Sequence, residues 1–153
     1  MKNNPQPFPK DDKSWRNYFD INRYNKKTWL YTNEDGDIVF GVIRHELMET
    51  ETGKISKKIW QFSYDYGEDN KLGYRKANNW KVRPLYKVDK LIVNQDDVLC
   101  VEGEKTCEKA QELLPEYFVT TWSGGARNWK KTNWQTLKGK KVTLWPDADK
   151  GGV

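Results

Sequence analysis

Val98-Leu99-Cys100-Val101-Glu102-Gly103-Glu104-Lys105 is the stretch on which the reading of this chain turns. Four apolar residues run without alternation and stop at carboxylates and a glycine. A short apolar run bounded by turn residues reads as a buried strand. A second piece repeats the pattern: Val142-Thr143-Leu144-Trp145-Pro146-Asp147-Ala148-Asp149-Lys150-Gly151-Gly152. If both are parallel strands, their terminal acids fall on one edge of a sheet. That edge is where open α/β sheets place their ligands.

The residues between the two pieces support this. From Glu104 to Leu114, Cys107, Ala110, Leu113 and Leu114 recur at helical spacing, and Pro115 follows, so a helix is predicted. Phe118–Trp122 reads as a strand and Ser123-Gly124-Gly125-Ala126 as a tight loop. Arg127–Leu137 is helical or irregular, Gly139 ends it, and Lys141–Trp145 is a third strand. The order β-α-β-(α)-β implies parallel strands with right-handed crossovers. No internal repeat is evident.

Upstream the period changes to two. Thr28–Thr32 is aromatic and β-branched, Asn33-Glu34-Asp35-Gly36 is a strong turn signal, and Asp37–Arg44 follows, so a hairpin is predicted. Glu49–Gly53 is a polar loop. Lys58–Tyr66 alternates, placing Trp60, Phe62, Tyr64 and Tyr66 on one face. Such a stripe is most often the buried face of an antiparallel sheet. Its other use, beside Lys57, Lys58, Arg75 and Lys76, is to stack the bases of a single strand. Gly67–Gly73 reads as a loop. Residues 1–13 are polar and proline-dotted and read as a flexible tail, followed by a short helix capped by Ser14, with Trp15, Tyr18 and Phe19 on one face. The expected class is α+β: a tail over 1–13, a β-rich region over 14–96, and an α/β unit over 97–153.

Bulk composition sets bounds. The chain has 153 residues, about one domain or one and a part. Hydrophobic content is low at 36%, but 14% aromatic with 8 Trp argues against disorder. A net charge of +5 suits a polyanionic partner as well as it suits a lysine-rich soluble surface. Cys100 and Cys107 are the only cysteines and His45 the only histidine, so no zinc-type spacing exists. A disulfide scaffold is not expected, which fits a reducing, cytoplasmic setting. No stretch reads as a signal core or a membrane span, so no membrane partner is expected.

The acids point to metal-assisted phosphate chemistry. Glu102 sits where strand gives way to helix, and Gly103 lets the backbone approach a ligand. The helix start aims free N–H groups at an anion. Asp147 and Asp149 flank one residue, so an extended backbone turns both carboxylates to one side. Such hard oxygen ligands suit Mg2+ or Mn2+ with substrate phosphates. Lys105, Arg127 and Lys150 adjoin these motifs and are candidate phosphate contacts; Lys130 and Lys131 lie nearby. Alone, Asp-x-Asp or Glu-Gly is common on surfaces. Together, each ending an apolar strand with a Gly-Gly loop between, they are moderately specific.

The order Val-Glu-Gly-Glu-Lys, Thr-Thr-Trp-Ser-Gly-Gly-Ala-Arg-Asn-Trp and Trp-Pro-Asp-Ala-Asp-Lys-Gly-Gly resembles the Toprim domain. It is most similar to the Toprim segment of phage and mobile-element primases and primase-helicases, over residues 97–153. Asn79-Trp80 and Arg83-Pro84-Leu85-Tyr86 resemble the lead-in to that segment. The resemblance implies that Glu102 is a catalytic acid/base or metal-associated group. It makes Asp147 and Asp149 metal-binding aspartates and the loop Ser123, Gly124, Gly125, Ala126 a neighbour of the site, beside Gly103. It implies a DNA primase: Mg2+ or Mn2+ orients a nucleotide triphosphate, and a 3′-hydroxyl attacks its α-phosphorus. Implied partners are single-stranded DNA or an RNA primer–template, nucleotide triphosphates and a replicative helicase. The alternatives are a Toprim nuclease and a non-catalytic single-stranded nucleic-acid-binding fragment. Thr106 departs from the family's pattern, in which an Asp is expected. The family's fold continues beyond the position of Val153, so the chain reads as C-terminally truncated. No zinc ribbon is present, and Trp129 occupies the place of a Walker A glycine, so ATP-driven helicase activity is not expected of this stretch.

Overall fold

The computed structural model describes residues 5–19 and 26–148. The protein is α+β, with a four-stranded sheet ordered β1-β2-β3-β4 and a separate three-stranded sheet ordered β6-β5-β7. In chain order these are β1 (Lys26–Thr32), β2 (Ile38–Met48), β3 (Ile55–Tyr66), β4 (Leu72–Arg75), β5 (Val98–Val101), β6 (Phe118–Thr120) and β7 (Val142–Trp145). The helices are α1 (Trp15–Tyr18), α2 (Val88–Leu91) and α3 (Glu104–Leu113). Two compact units result: Met1–Leu30 with Asp37–Trp80, and Tyr31–Gly36 with Lys81–Val153.

In the first unit, β2 pairs antiparallel with β3, and β3 with β4. The predicted turn between β1 and β2 forms in the Tyr31–Gly36 segment, which is assigned to the second unit, with Gly36 N–H donating to Asn33 O and Gly36 at φ +83°. Cross-strand neighbours share a face, so Gly41 opposite Phe62 and Ile43 opposite Trp60 lie together. The aromatic stripe faces the core: Phe62 is fully buried with Phe8, Trp15, Phe19 and Ile43, and Trp60, Tyr64 and Tyr74 pack against them. Tyr66, at the end of the stripe, is exposed. Gly41 has a specific cause, because a Cβ there would stand 2.3 Å from the Phe62 ring.

Three expectations for this region are corrected. Residues 5–13 are not a tail: Gln6 N–H donates to Tyr64 O, Phe8 N–H donates to Ile38 O, and the Phe8 ring is buried. An aromatic core this rich recruits Phe8 despite its flanking prolines. Ser14 starts α1 without a side-chain cap; instead its own N–H donates to Asp12 Oδ1. Trp15 and Phe19 share the buried side as expected, whereas the Tyr18 side chain lies outside what the structure describes. The expected loop over 67–73 is shorter, since Leu72–Arg75 pairs with Ser63–Tyr66 as β4.

The second unit is built on β5, paired parallel with β6 and β7. Its uninterrupted apolar run is buried at every position, as a central parallel strand requires. One face packs Leu99, Val101 and Val119 against Cys107, Ala110 and Leu114 of α3 and its end. The other packs Val98, Cys100 and Phe118 against Leu85, Leu91 and Trp122. Leu85, Val88 and Leu91, which precede residue 97, are fully buried in this unit, and its longer segment runs from Lys81. Arg127–Leu137 resolves into 3-10 turns over Ala126–Lys131 and Trp134–Leu137.

The expectation of a second buried strand is corrected at β7. All four of its residues are exposed, with Leu144 at 59% and Trp145 at 60%. The sheet order explains this: β7 is an edge, and among the described residues nothing covers its outer side.

Candidate functional site

The register fixes what lies at the sheet's carboxyl end. Val101 is opposite Trp145 as the last β5–β7 pair, so Glu102 follows one strand and Pro146-Asp147 follows its parallel neighbour. Both acids therefore leave the sheet at the same edge, as the sequence implied. Asp149 and Lys150 lie outside the described residues.

Glu102 is half-buried and tethered. Ala126 N–H donates to Glu102 Oε1 at 3.1 Å. The chain then turns through Gly103, at φ +91°, directly into α3. Gly103 N–H donates to Thr121 Oγ1 at 3.0 Å, tying the turn to the end of β6. The Ser123–Ala126 loop is held in turn. Trp122 Nε1 donates to Gly125 O, and Asn128 Nδ2 donates to Gly124 O at 2.7 Å. Gly124 (φ +87°) and Gly125 (φ +70°) occupy left-handed conformations that an L side chain resists. A Cβ on Gly124 would also meet Asn128 Nδ2 at 2.8 Å. The Gly-Gly loop thus positions an N–H on the Glu102 carboxylate. Ser123 is buried, and its Oγ has no hydrogen-bond partner among the described residues.

Asp147 is exposed and stands on the other side of the strand. Alternation along β7 divides the surroundings into two grooves. One, about 600 Å³, is lined by Cys100, Glu102, Trp122, Trp134 and Leu144. The other, about 320 Å³, is lined by Val101, Thr106, Leu113, Trp145 and Asp147. Among the described residues no group of three or more His, Cys, Asp or Glu side chains is close enough to hold a metal ion. Lys105, in the first turn of α3, and Arg127, after the Gly-Gly loop, are both exposed.

One acid was not singled out in advance. Glu104, the first residue of α3, is buried, and Tyr31 Oη donates to its Oε1 at 2.8 Å. Burial raises its pKa above the ordinary value near 4.5, against the lowering effect of its own backbone N–H and of the Tyr31 hydroxyl. The Tyr31 hydroxyl is itself pushed well above its ordinary value, first by burial and then by Glu104. The only advance signal was a glutamate at a helix start. Tyr31 carried none, because the two residues are 73 apart in the chain.

Cys100 and Cys107 are free and buried, and burial pushes each thiol up to about 12. Both are inert core residues rather than nucleophiles. No family model and no curated protein sequence matches the chain. No helix among the described residues is long and apolar enough to cross a membrane.

Proposed function

We propose that this chain carries a Toprim-type site for metal-dependent nucleotidyl or phosphoryl transfer on nucleic acid. In this reading it acts in the cytoplasm as part of a DNA primase of a phage or mobile element. The observation that carries the reading is the exit of Glu102 and Asp147 from adjacent parallel strands at one sheet edge, with Glu102 held by a Gly-Gly loop. Carboxylate oxygens of this kind suit Mg2+ or Mn2+. In this reading Glu102, Asp147 and Asp149 would supply the donors. Since Glu102 and Asp147 line separate grooves on the two sides of β7, a shared ion requires them to be brought together. Bound there, the ion would neutralise phosphate charge.

The chain's own groups have defined parts in this reading. The Ala126 N–H engages one oxygen of Glu102 and orients the carboxylate. A half-buried glutamate at this position can hold or release a proton at the reacting oxygen. Exposed Lys105 and Arg127 flank the edge and suit the phosphates of a primer–template or a nucleotide triphosphate.

The test compares the unaltered chain with Glu102→Gln and Asp147→Asn. Mn2+ binding is read by electron paramagnetic resonance, and template-dependent primer synthesis is read from labelled nucleotide triphosphates. The expected result is loss of synthesis in both variants and weakened Mn2+ binding in Asp147→Asn. Unchanged Mn2+ binding and unchanged synthesis in both would reject the assignment. Metal-dependent cleavage of an oligonucleotide without nucleotide triphosphates would instead assign the same carboxylates to a nuclease.

A further inference from the structure

A second surface belongs to the first unit alone and requires no metal. Trp60 lies at the outer end of the aromatic stripe, half-buried against the core. Cations surround its ring: Lys76 Nζ is 4.9 Å and Lys26 Nζ 5.8 Å from the centroid. The His45 ring meets it edge-on at 6.2 Å. Lys58 is opposite His45 in the β2–β3 register and so stands on the same face, exposed. The acid nearest in that register, Glu46, is on the opposite face, where Arg44 holds it at 2.8 Å. The stripe is thus core at Phe62 and, around Trp60, a platform of an aromatic ring among basic groups.

We propose that this platform binds single-stranded nucleic acid, with one base stacked on Trp60 and the flanking phosphates held by Lys58 and Lys76. Stacking on an aromatic face bordered by cations is the general means of holding unpaired bases without sequence preference. Only an unpaired base offers its π-face, so the geometry favours single strands over duplex. Lys76, now over the ring, is exposed and free to swing from the indole to a phosphate as the base enters. The platform lies apart from Glu102 and Asp147 in the chain and needs neither of them to bind.

The experiment is fluorescence anisotropy of a labelled thymidine dodecamer with the full chain, with EDTA present throughout. Lys58→Glu combined with Lys76→Glu alters exposed side chains and should leave the fold intact. The expected result is about tenfold weaker binding at low salt, with the salt slope reduced by about 0.7 for each phosphate that no longer has a lysine beside it. The unaltered chain should prefer the dodecamer over an abasic strand of equal length by about fivefold or more. Trp60→Leu should abolish that preference. Full affinity in the lysine variant overturns the proposal. So does equal binding of the abasic strand, of duplex DNA, or of poly-glutamate as competitor. Since EDTA removes any cation, failure here leaves the metal assignment standing, and loss of Mn2+-dependent activity leaves this one standing.

Discussion

Replacing Glu104 by Gln should abolish a pH dependence of stability that the unaltered protein must show. Glu104 is 9% exposed, and its ionised form has one hydroxyl donor, Tyr31, in place of water. Burial outweighs that bond and the carboxyl's own backbone N–H, so folding raises its proton affinity above the ordinary value near 4.5. The folded state then binds more proton than the unfolded chain between the ordinary and the raised value. Stability contributed by this group is present below the ordinary value and falls as pH rises through that window, at up to about 1.4 kcal/mol per pH unit. Above the raised value the loss is complete and the curve flattens. Gln keeps an acceptor for Tyr31 but cannot ionise. It should match or fall slightly below the unaltered protein in acid, where its amide must find a partner, and overtake it toward neutrality. Tyr31→Phe acts oppositely: it removes a donor that lowers the Glu104 pKa, so its cost should grow with pH, reaching about 1–3 kcal/mol once the carboxylate is ionised and has lost the hydroxyl, keeping only its own backbone N–H. Urea titrations read by hydrogen-exchange mass spectrometry of peptides over 98–113 isolate the second unit. Parallel pH curves for the unaltered and Glu104→Gln chains would refute the reasoning.

Other substitutions test packing and loop geometry. Gly41→Ala places a Cβ 2.3 Å from the Phe62 ring, so urea denaturation should show about 1–3 kcal/mol lost, or more if the ring cannot shift. Gly125→Ala is strained at φ +70°; stability should fall by about 1–2 kcal/mol, and any activity that uses Glu102 should fall further than stability because the Ala126 N–H is displaced. Cys100 and Cys107, buried and pushed up to about 12, should react with a thiol reagent only after unfolding, which absorbance of the released chromophore follows directly.

What could be read in advance divides along one physical line. β5 and α3 were legible because period and composition change within a few residues, from a solid apolar run to helical spacing. The β2–β3 pair was legible because alternation and a strong turn signal agree. β4 was not: Leu72-Gly73-Tyr74-Arg75 has no strand signal of its own and exists because β3 offers it a ladder. Phe8 was misread for the same reason, since its burial is a property of the pocket formed by Trp15, Phe62 and Tyr74 around it. At the site, Glu102 and Asp147 were legible as ends of strands. The tether from Ala126 and the Tyr31–Glu104 pair were not, because they join segments that local pattern cannot connect.

The two strand-end acids are unequally supported. Glu102 follows a strand buried at every position and is fixed by a loop that two left-handed glycines and the Trp122 and Asn128 side chains hold in shape. Asp147 follows a strand exposed at every position. A ligand that engaged both acids would therefore meet one carboxylate fixed within a buried frame and one carried on an open edge strand.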